Sequence, residues 1–128
     1  MEVTIGSSLL DAMLDFAIER HPREAVLLLR GRVERGAILV EDFLVPPLAV
    51  SGRGFAEFPL RLLPIDFSIV GTAHSHPSGA LAPSVGDLNN FYGRVMLIMA
   101  RPYGRDRVAA FSSHGERMPI RDAGRPTV

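Results

Sequence analysis

The chain has 128 residues, 47% of them hydrophobic and 22% charged, and its 14 basic and 14 acidic side chains cancel. That size and balance fit one self-sufficient globular domain and exclude extended disorder. Zero net charge argues against general affinity for nucleic acid or an anionic membrane. The absence of cysteine removes disulfides, cysteine zinc sites and thiol nucleophiles from consideration. There is no basic-then-apolar leader and no apolar run of about 18 residues, so the expected location is the cytoplasm.

Met1–Ile5 reads as a short strand or lead-in. Ser7–Arg20 has the spacing of an amphipathic helix, with Leu9, Leu10, Met13, Leu14, Ala17 and Ile18 on one face and Asp11, Asp15 and Glu19 opposite. Ser7 or Ser8 is positioned to cap it, and His21-Pro22 to stop it. Ala25–Leu29 is a continuous apolar run, the pattern of a central strand covered on both faces. Arg32–Gly36 should turn into a second strand, Ala37–Leu44, closed by Pro46-Pro47. Val50–Phe58, with Gly52 and Gly54, reads as a loop or irregular edge, and Leu60–Leu63 as a helical turn before Pro64. Phe67–His76 is the third strand, Ser84–Tyr92 a short helix and Val95–Ala100 another buried strand. Turns at Tyr103–Asp106 and His114-Gly115 lead into Arg107–Phe111 and Arg117–Ile120. The expectation is a single α/β domain over residues 1–122, a mixed sheet with flanking helices, and a frayed tail over 123–128.

Chemistry concentrates in His74-Ser75-His76-Pro77 and the following Ser84-Val85-Gly86-Asp87. Alternate side chains of a strand share a face, so His74 and His76 project together about 7 Å apart. Pro77 ends the strand, and the loop to Pro83 is long enough to bring Asp87, in the first turn of the next helix, back towards both rings. Two histidines, one carboxylate and an open position are what a catalytic zinc requires, one ion per chain. Such an ion brings the pKa of bound water from about 15.7 to about 7 and makes hydroxide available at neutral pH. Other readings of these residues are a hydrogen-bonded surface pair for the histidines and a plain capping box for Ser84 and Asp87. Glu24 stands at the mouth of the buried Ala25–Leu29 strand. It suits either a proton shuttle or a solvated charge at a strand start. Glu19, Glu34 and Glu57 fit a polar helix face, a turn and a loop; His21 and His114 read as structural.

With His74-x-His76-Pro77, six residues, then Ser84-x-x-Asp87, and with Glu24 ahead of an apolar run and Gly31, the sequence resembles the JAMM motif of MPN-domain metallopeptidases, most of all the small archaeal single-domain members. The resemblance implies an MPN, cytidine-deaminase-like fold. It implies Zn²⁺ held by His74, His76 and Asp87, with Glu24 deprotonating the metal-bound water. Ser84 then donates to the oxyanion of the tetrahedral intermediate. It implies isopeptidase activity on ubiquitin or a ubiquitin-like β-grasp modifier and its conjugates. The alternatives are trimming the C-terminus of a sulfur-carrier protein, or a non-catalytic MPN scaffold. The short segments before His74 and after Asp87 favour a small modifier or a sulfur carrier over ubiquitin chains, and Val50–Phe58 is the expected flap beside the modifier tail. All 14 basic residues are arginine, so apart from its N-terminus the chain offers no amine to an isopeptide bond; composition bias explains that equally well.

Overall fold

The continuous apolar runs become the middle of a sheet. The structure, a computed structural model, describes residues 1–46, 50–52, 55–57 and 68–123, the two short inner segments by backbone alone. In chain order the elements are β1 (Glu2–Ile5), α1 (Ser7–Arg20), β2 (Val26–Glu34), β3 (Ala37–Leu44), β4 (Val50–Gly52), β5 (Phe55–Glu57), β6 (Ile69–His76), α2 (Val85–Asn89) and β7 (Val95–Ala100). A single 3₁₀ turn, Arg105–Arg107, then leads to β8 (Val108–Phe111), β9 (Arg117–Met118) and β10 (Ile120–Asp122). Among the described residues the main sheet has eight strands in the order β10-β1-β3-β2-β6-β7-β8-β9. The mixed sheet and its helices are the expected α/β architecture. No helix among the described residues is long and apolar enough to cross a membrane.

Alternation sorts the side chains. Leu27, Leu29, Ala73, Val95, Leu97 and Met99 face helix α1, where they meet Leu10, Met13, Leu14 and Ala17 in the main core. Met96, Ile98, Ala109 and Phe111 face the other way and pack with Leu81 and Phe91. All residues of β6 and β7 are buried, as a strand covered on both faces requires. Ile18 departs from the expected apolar stripe: it is exposed, and the buried face of α1 is narrower than its hydrophobic pattern. Neither Ser7 nor Ser8 caps the helix; Gly6 occupies the cap without a side-chain bond, and Ser7 is already helical.

The Arg32–Gly36 turn is tighter than expected. β2 runs on to Glu34, and the chain reverses at Arg35 and Gly36, both at positive φ, the backbone that a two-residue hairpin needs. The Val50–Phe58 stretch contains the hairpin β4–β5, with Val50 opposite Glu57. The Leu60–Leu63 turn lies outside the described residues, as do residues 124–128 of the expected tail. Ala123, assigned to that tail, instead donates its N–H to the Ile5 carbonyl and extends the β1–β10 pairing.

Strand direction positions the site. β6 is antiparallel to β2 on one side and parallel to β7 on the other. The parallel step demands a crossover, and α2 supplies it at the carboxyl end of β6, the end where ligands collect in open α/β sheets.

Gly31 lies at an irregularity in the β2–β3 ladder, where a Cβ would stand 1.8 Å from the Leu39 carbonyl oxygen. That obstacle is backbone and cannot rotate away. Gly31→Ala should therefore lower the unfolding free energy by about 1–3 kcal/mol, read as a Tm lower by several degrees in thermal denaturation. An unchanged Tm would show that the two strands separate freely at this point.

Candidate metal centre

Thr72, His74 and His76 alternate along β6 and share the face that carries Met96 and Ile98, their partners or near neighbours on β7. The two histidines are only 8% and 6% exposed, so their rings cannot rely on water for hydrogen bonds. The chain after Pro77 wraps back, and α2 presents Asp87 from its first turn. His76 Nε2 lies 3.0 Å from Asp87 Oδ2 and His74 Nδ1 lies 3.7 Å from Asp87 Oδ1. The three residues expected to meet from opposite ends of a loop do meet.

The hydrogen bonds set which nitrogen is available. His76 Nδ1 is 2.9 Å from the Ala80 carbonyl, which can only accept, so this nitrogen carries the proton. In the neutral ring Nε2 is then a bare lone pair facing a carboxylate oxygen. Only a proton or a cation between them makes that contact favourable. His74 Nε2 faces the Thr72 hydroxyl at 3.2 Å, while its Nδ1 is buried without a hydrogen-bond partner. An orphaned buried nitrogen beside an imidazole lone pair and a carboxylate is the donor chemistry of a divalent-metal site, and N and O donors without thiolate suit zinc. Among the described residues no three His, Asp or Glu side chains stand close enough together to hold a metal ion as they are; His76 is within hydrogen-bond distance of Asp87, and His74 is further away at 3.7 Å.

Protonation follows from the same contacts. Burial drives the His74 pKa down to about 4, against the pull of Asp87, so its ring is neutral near pH 7. Burial also lowers His76, but the hydrogen bond with Asp87, the Ala80 carbonyl and the charges of Asp87 and Glu24 outweigh it, and the net shift is upward. Burial would raise Asp87; the bonds from His76 and the Ser84 backbone, with both imidazoles, more than reverse that and hold it ionised.

Ser84 is the N-cap of α2. Its hydroxyl accepts the Asp87 N–H at 3.0 Å, and its own N–H donates to Asp87 Oδ2 at 2.8 Å. The capping box is real and also orients the third candidate ligand. Capping uses a lone pair of the Ser84 oxygen and leaves its proton to donate.

Glu24 precedes β2. The β2–β6 register ends at Val26 opposite His74, and Glu24 lies two residues before that end. Its negative charge helps raise the pKa of His76. The residue between the histidines, which sequence reasoning passed over, secures this placement: Ser75 Oγ accepts the Ala25 N–H at 2.7 Å and Ser75 N–H donates to the Ala25 carbonyl at 2.9 Å. Thr72 was also missed, although its place two residues before His74 on an alternating strand marked it as a same-face neighbour. His21 and His114 stay outside: His21 Nδ1 pairs with Tyr103 Oη at 2.7 Å, and His114 lies on an exposed turn. Glu19 and Glu34 lie on the surface, Glu34 paired with Arg32; the side chain of Glu57 is outside the described residues.

Comparison with known proteins bears on the family and the fold. Residues 6–113 match the family described as prokaryotic homologs of the JAB domain. A probable metalloprotease of Haloferax volcanii is 42% identical over 121 residues, spanning 89% of this chain and 75% of that protein. A solved structure described as JAMM, a metalloprotease-like zinc site in the proteasome and signalosome, superposes with a TM-score of 0.67 at 24% identity, covering 94% of this chain and 98% of the other. A JAB1/MPN domain protein from Archaeoglobus fulgidus gives 0.65 at 22%, covering 94% and 95%. A protein from Desulfitobacterium hafniense gives 0.70 at 18%, covering 98% and 95%. At these identities the solved structures establish the shared fold.

The protonation states predict how zinc binding depends on pH. The His76 pKa lies above its ordinary value of 6.5, so below that pKa one proton must leave before the ring can ligate. His74, at about 4, has none to lose until strongly acid pH. Zinc affinity measured by competition titration should be flat at alkaline pH and then fall about tenfold per pH unit, a one-proton slope, towards pH 5.5. A two-proton slope in that range would contradict the neutral His74.

Proposed function

The chain belongs to the family of prokaryotic homologs of the JAB domain, and from that membership, which makes it a JAMM-type metallohydrolase, we propose that it is a zinc-dependent isopeptidase releasing ubiquitin-like β-grasp modifiers from lysine side chains. The observation that carries the reading is the approach of His74 Nδ1 and His76 Nε2 to the two oxygens of the Asp87 carboxylate, with the charge of Glu24 acting on His76.

His74, His76 and Asp87 would hold the zinc. The ion, when bound, supplies a Lewis acid that makes water acidic enough to act as a nucleophile at neutral pH. Glu24 accepts a proton from the attacking water and delivers it to the departing lysine amine, which otherwise leaves as a poor anion. The water oxygen bonds to the glycyl carbonyl carbon and the C–N bond breaks, giving a carboxylate on the modifier and a free amine on the target. Ser84 donates its O–H to the oxyanion that forms on the way. Its capping bond fixes the oxygen before the substrate arrives, which is the preorganisation that oxyanion stabilisation needs. The hairpin β4–β5 offers backbone along which an extended modifier tail can pair.

The test is cleavage of a panel of β-grasp modifiers, each joined through its C-terminal glycine to a protein lysine, by zinc-loaded protein with and without a chelator. Release of the intact modifier, abolished by the chelator, is expected. Removal of residues from a free carrier's tail would indicate the sulfur-carrier trimming reaction instead, and inertness towards all substrates would indicate a scaffold. Glu24→Gln should retain zinc and lose about 10²–10⁴-fold in kcat; full activity in this variant would overturn the role of Glu24.

Ser84 allows its two duties to be separated. Ser84→Ala should lose about 0.5–2 kcal/mol of stability with the cap, whereas Ser84→Gly should lose only a few tenths. Both should lose about 10²–10³-fold in kcat if the hydroxyl serves the oxyanion. A Gly variant with wild-type kcat would reduce Ser84 to a cap.

A further inference from the structure

The nitrogen that His76 offers to a metal is decided by a bond on the other side of its ring, to the Ala80 carbonyl. That carbonyl belongs to the loop between β6 and α2, and the loop holds no strand or helix to keep it in place. Three hydrogen bonds hold its first turn. Gly79 N–H donates to the His76 carbonyl at 3.0 Å, Ala80 N–H donates to Ser78 Oγ at 3.3 Å, and the Arg107 guanidinium donates from Nη2 to the Gly79 carbonyl at 2.6 Å. The last is the shortest, partly buried and charge-assisted, the stronger class of hydrogen bond. It spans 28 residues, so the proximity of the two groups in the chain does not create it.

Arg107 is itself held from behind. It closes the 3₁₀ turn Arg105–Arg107, with its N–H on the Gly104 carbonyl. Two residues earlier, Arg105 grips Asp11 of α1 through Nε at 2.7 Å and Nη2 at 2.6 Å, a bidentate pair. The turn is thus tied to α1, and Arg107 reaches from it to the loop.

We propose that Arg107 is a positioning residue of the metal centre: by holding the Gly79–Ala80 peptide it keeps the Ala80 carbonyl on His76 Nδ1 and so keeps the Nε2 lone pair directed at the metal position. The inference rests on the metal-site reading above and extends it to a residue that touches neither the ion nor the substrate. Partners that orient ligating histidines through their second nitrogen are worth about 10–100-fold in metal affinity. Arg107 acts one peptide further out, so the lower end of that range is expected.

The experiment compares zinc affinity, by competition titration, for wild type, Arg107→Gln, Arg107→Lys and His74→Ala, with NMR detection of the His76 tautomer in the metal-free wild type and Arg107 variants at pH 8.5. Arg107→Gln should bind zinc about tenfold more weakly and show a mixed His76 tautomer. Arg107→Lys, which keeps a cationic donor, should fall between it and wild type. Zinc affinity in Arg107→Gln within twofold of wild type, with the tautomer unchanged, would overturn the proposal even if Tm falls, because a merely structural arginine moves only the latter. Should Arg107→Gln fail to fold, the metal-free wild type decides: a proton on Nε2 rather than Nδ1 overturns the proposal, and a proton on Nδ1 with weakened binding in Arg107→Lys supports it. His74→Ala is the separate control, since undiminished zinc binding in that variant would refute the metal site itself and not the part played by Arg107.

Discussion

A buried imidazole has two nitrogens and one proton to divide between them, and that constraint shapes the whole centre. Once the Ala80 carbonyl takes the proton of His76 on Nδ1, Nε2 must face Asp87 as a lone pair. Two acceptors 3.0 Å apart in a region with little water repel unless positive charge lies between them. The protein resolves this with a proton, which is why the His76 pKa rises while Asp87 stays ionised. A divalent cation would also give the unpartnered Nδ1 of His74 a partner. The His76–Asp87 contact therefore favours positive charge between its two acceptors.

The sheet explains why that position is where it is. A parallel neighbour on one side obliges the chain to leave β6 by a crossover and return through α2, and an antiparallel neighbour on the other brings the start of β2 alongside the end of β6. The carboxyl end of the histidine strand is thus met by a helix N-terminus and by the residue preceding β2. A wholly parallel or wholly antiparallel arrangement would supply one of these but not both. Glu24 and Asp87, 63 positions apart in the sequence, reach the same imidazole because β6 is the strand at which pairing changes sense.

The centre was legible in the sequence where it depends on side-chain type and period, and opaque where it depends on backbone. His74 and His76 follow from strand alternation, Asp87 from a first helical turn and Glu24 from its place before a buried run. Gly6 at the cap of α1 was not readable, since serines 7 and 8 are the better capping residues by chemistry and the helix simply starts one residue earlier than their use would require. The exposed Ile18 was equally unreadable: helical spacing places it on the apolar side with Leu14 and Ala17, yet of these three only Leu14 and Ala17 are buried. The Ala80 and Gly79 carbonyls carry no signature at all, because every residue has one, and Arg107 among fourteen arginines is distinguished only by where its turn is fixed.

Asp87 carries the heaviest set of demands. One oxygen accepts the Ser84 N–H and faces His76, while the other lies nearest His74. The helix start it caps also stabilises its negative charge, so the group that closes the capping box is the group best kept ionised for a cation. Sequence reasoning left room for both capping and metal binding in this Ser-x-x-Asp motif, with Ser84 capping while Asp87 serves as a ligand. In the structure the cap and the histidine contacts share the carboxylate: Oδ2 takes both the Ser84 N–H and the contact with His76, and Oδ1 lies nearest His74. Helix formation and site assembly are consequently coupled, since unwinding the first turn of α2 removes the third donor and the Ser84 hydroxyl together.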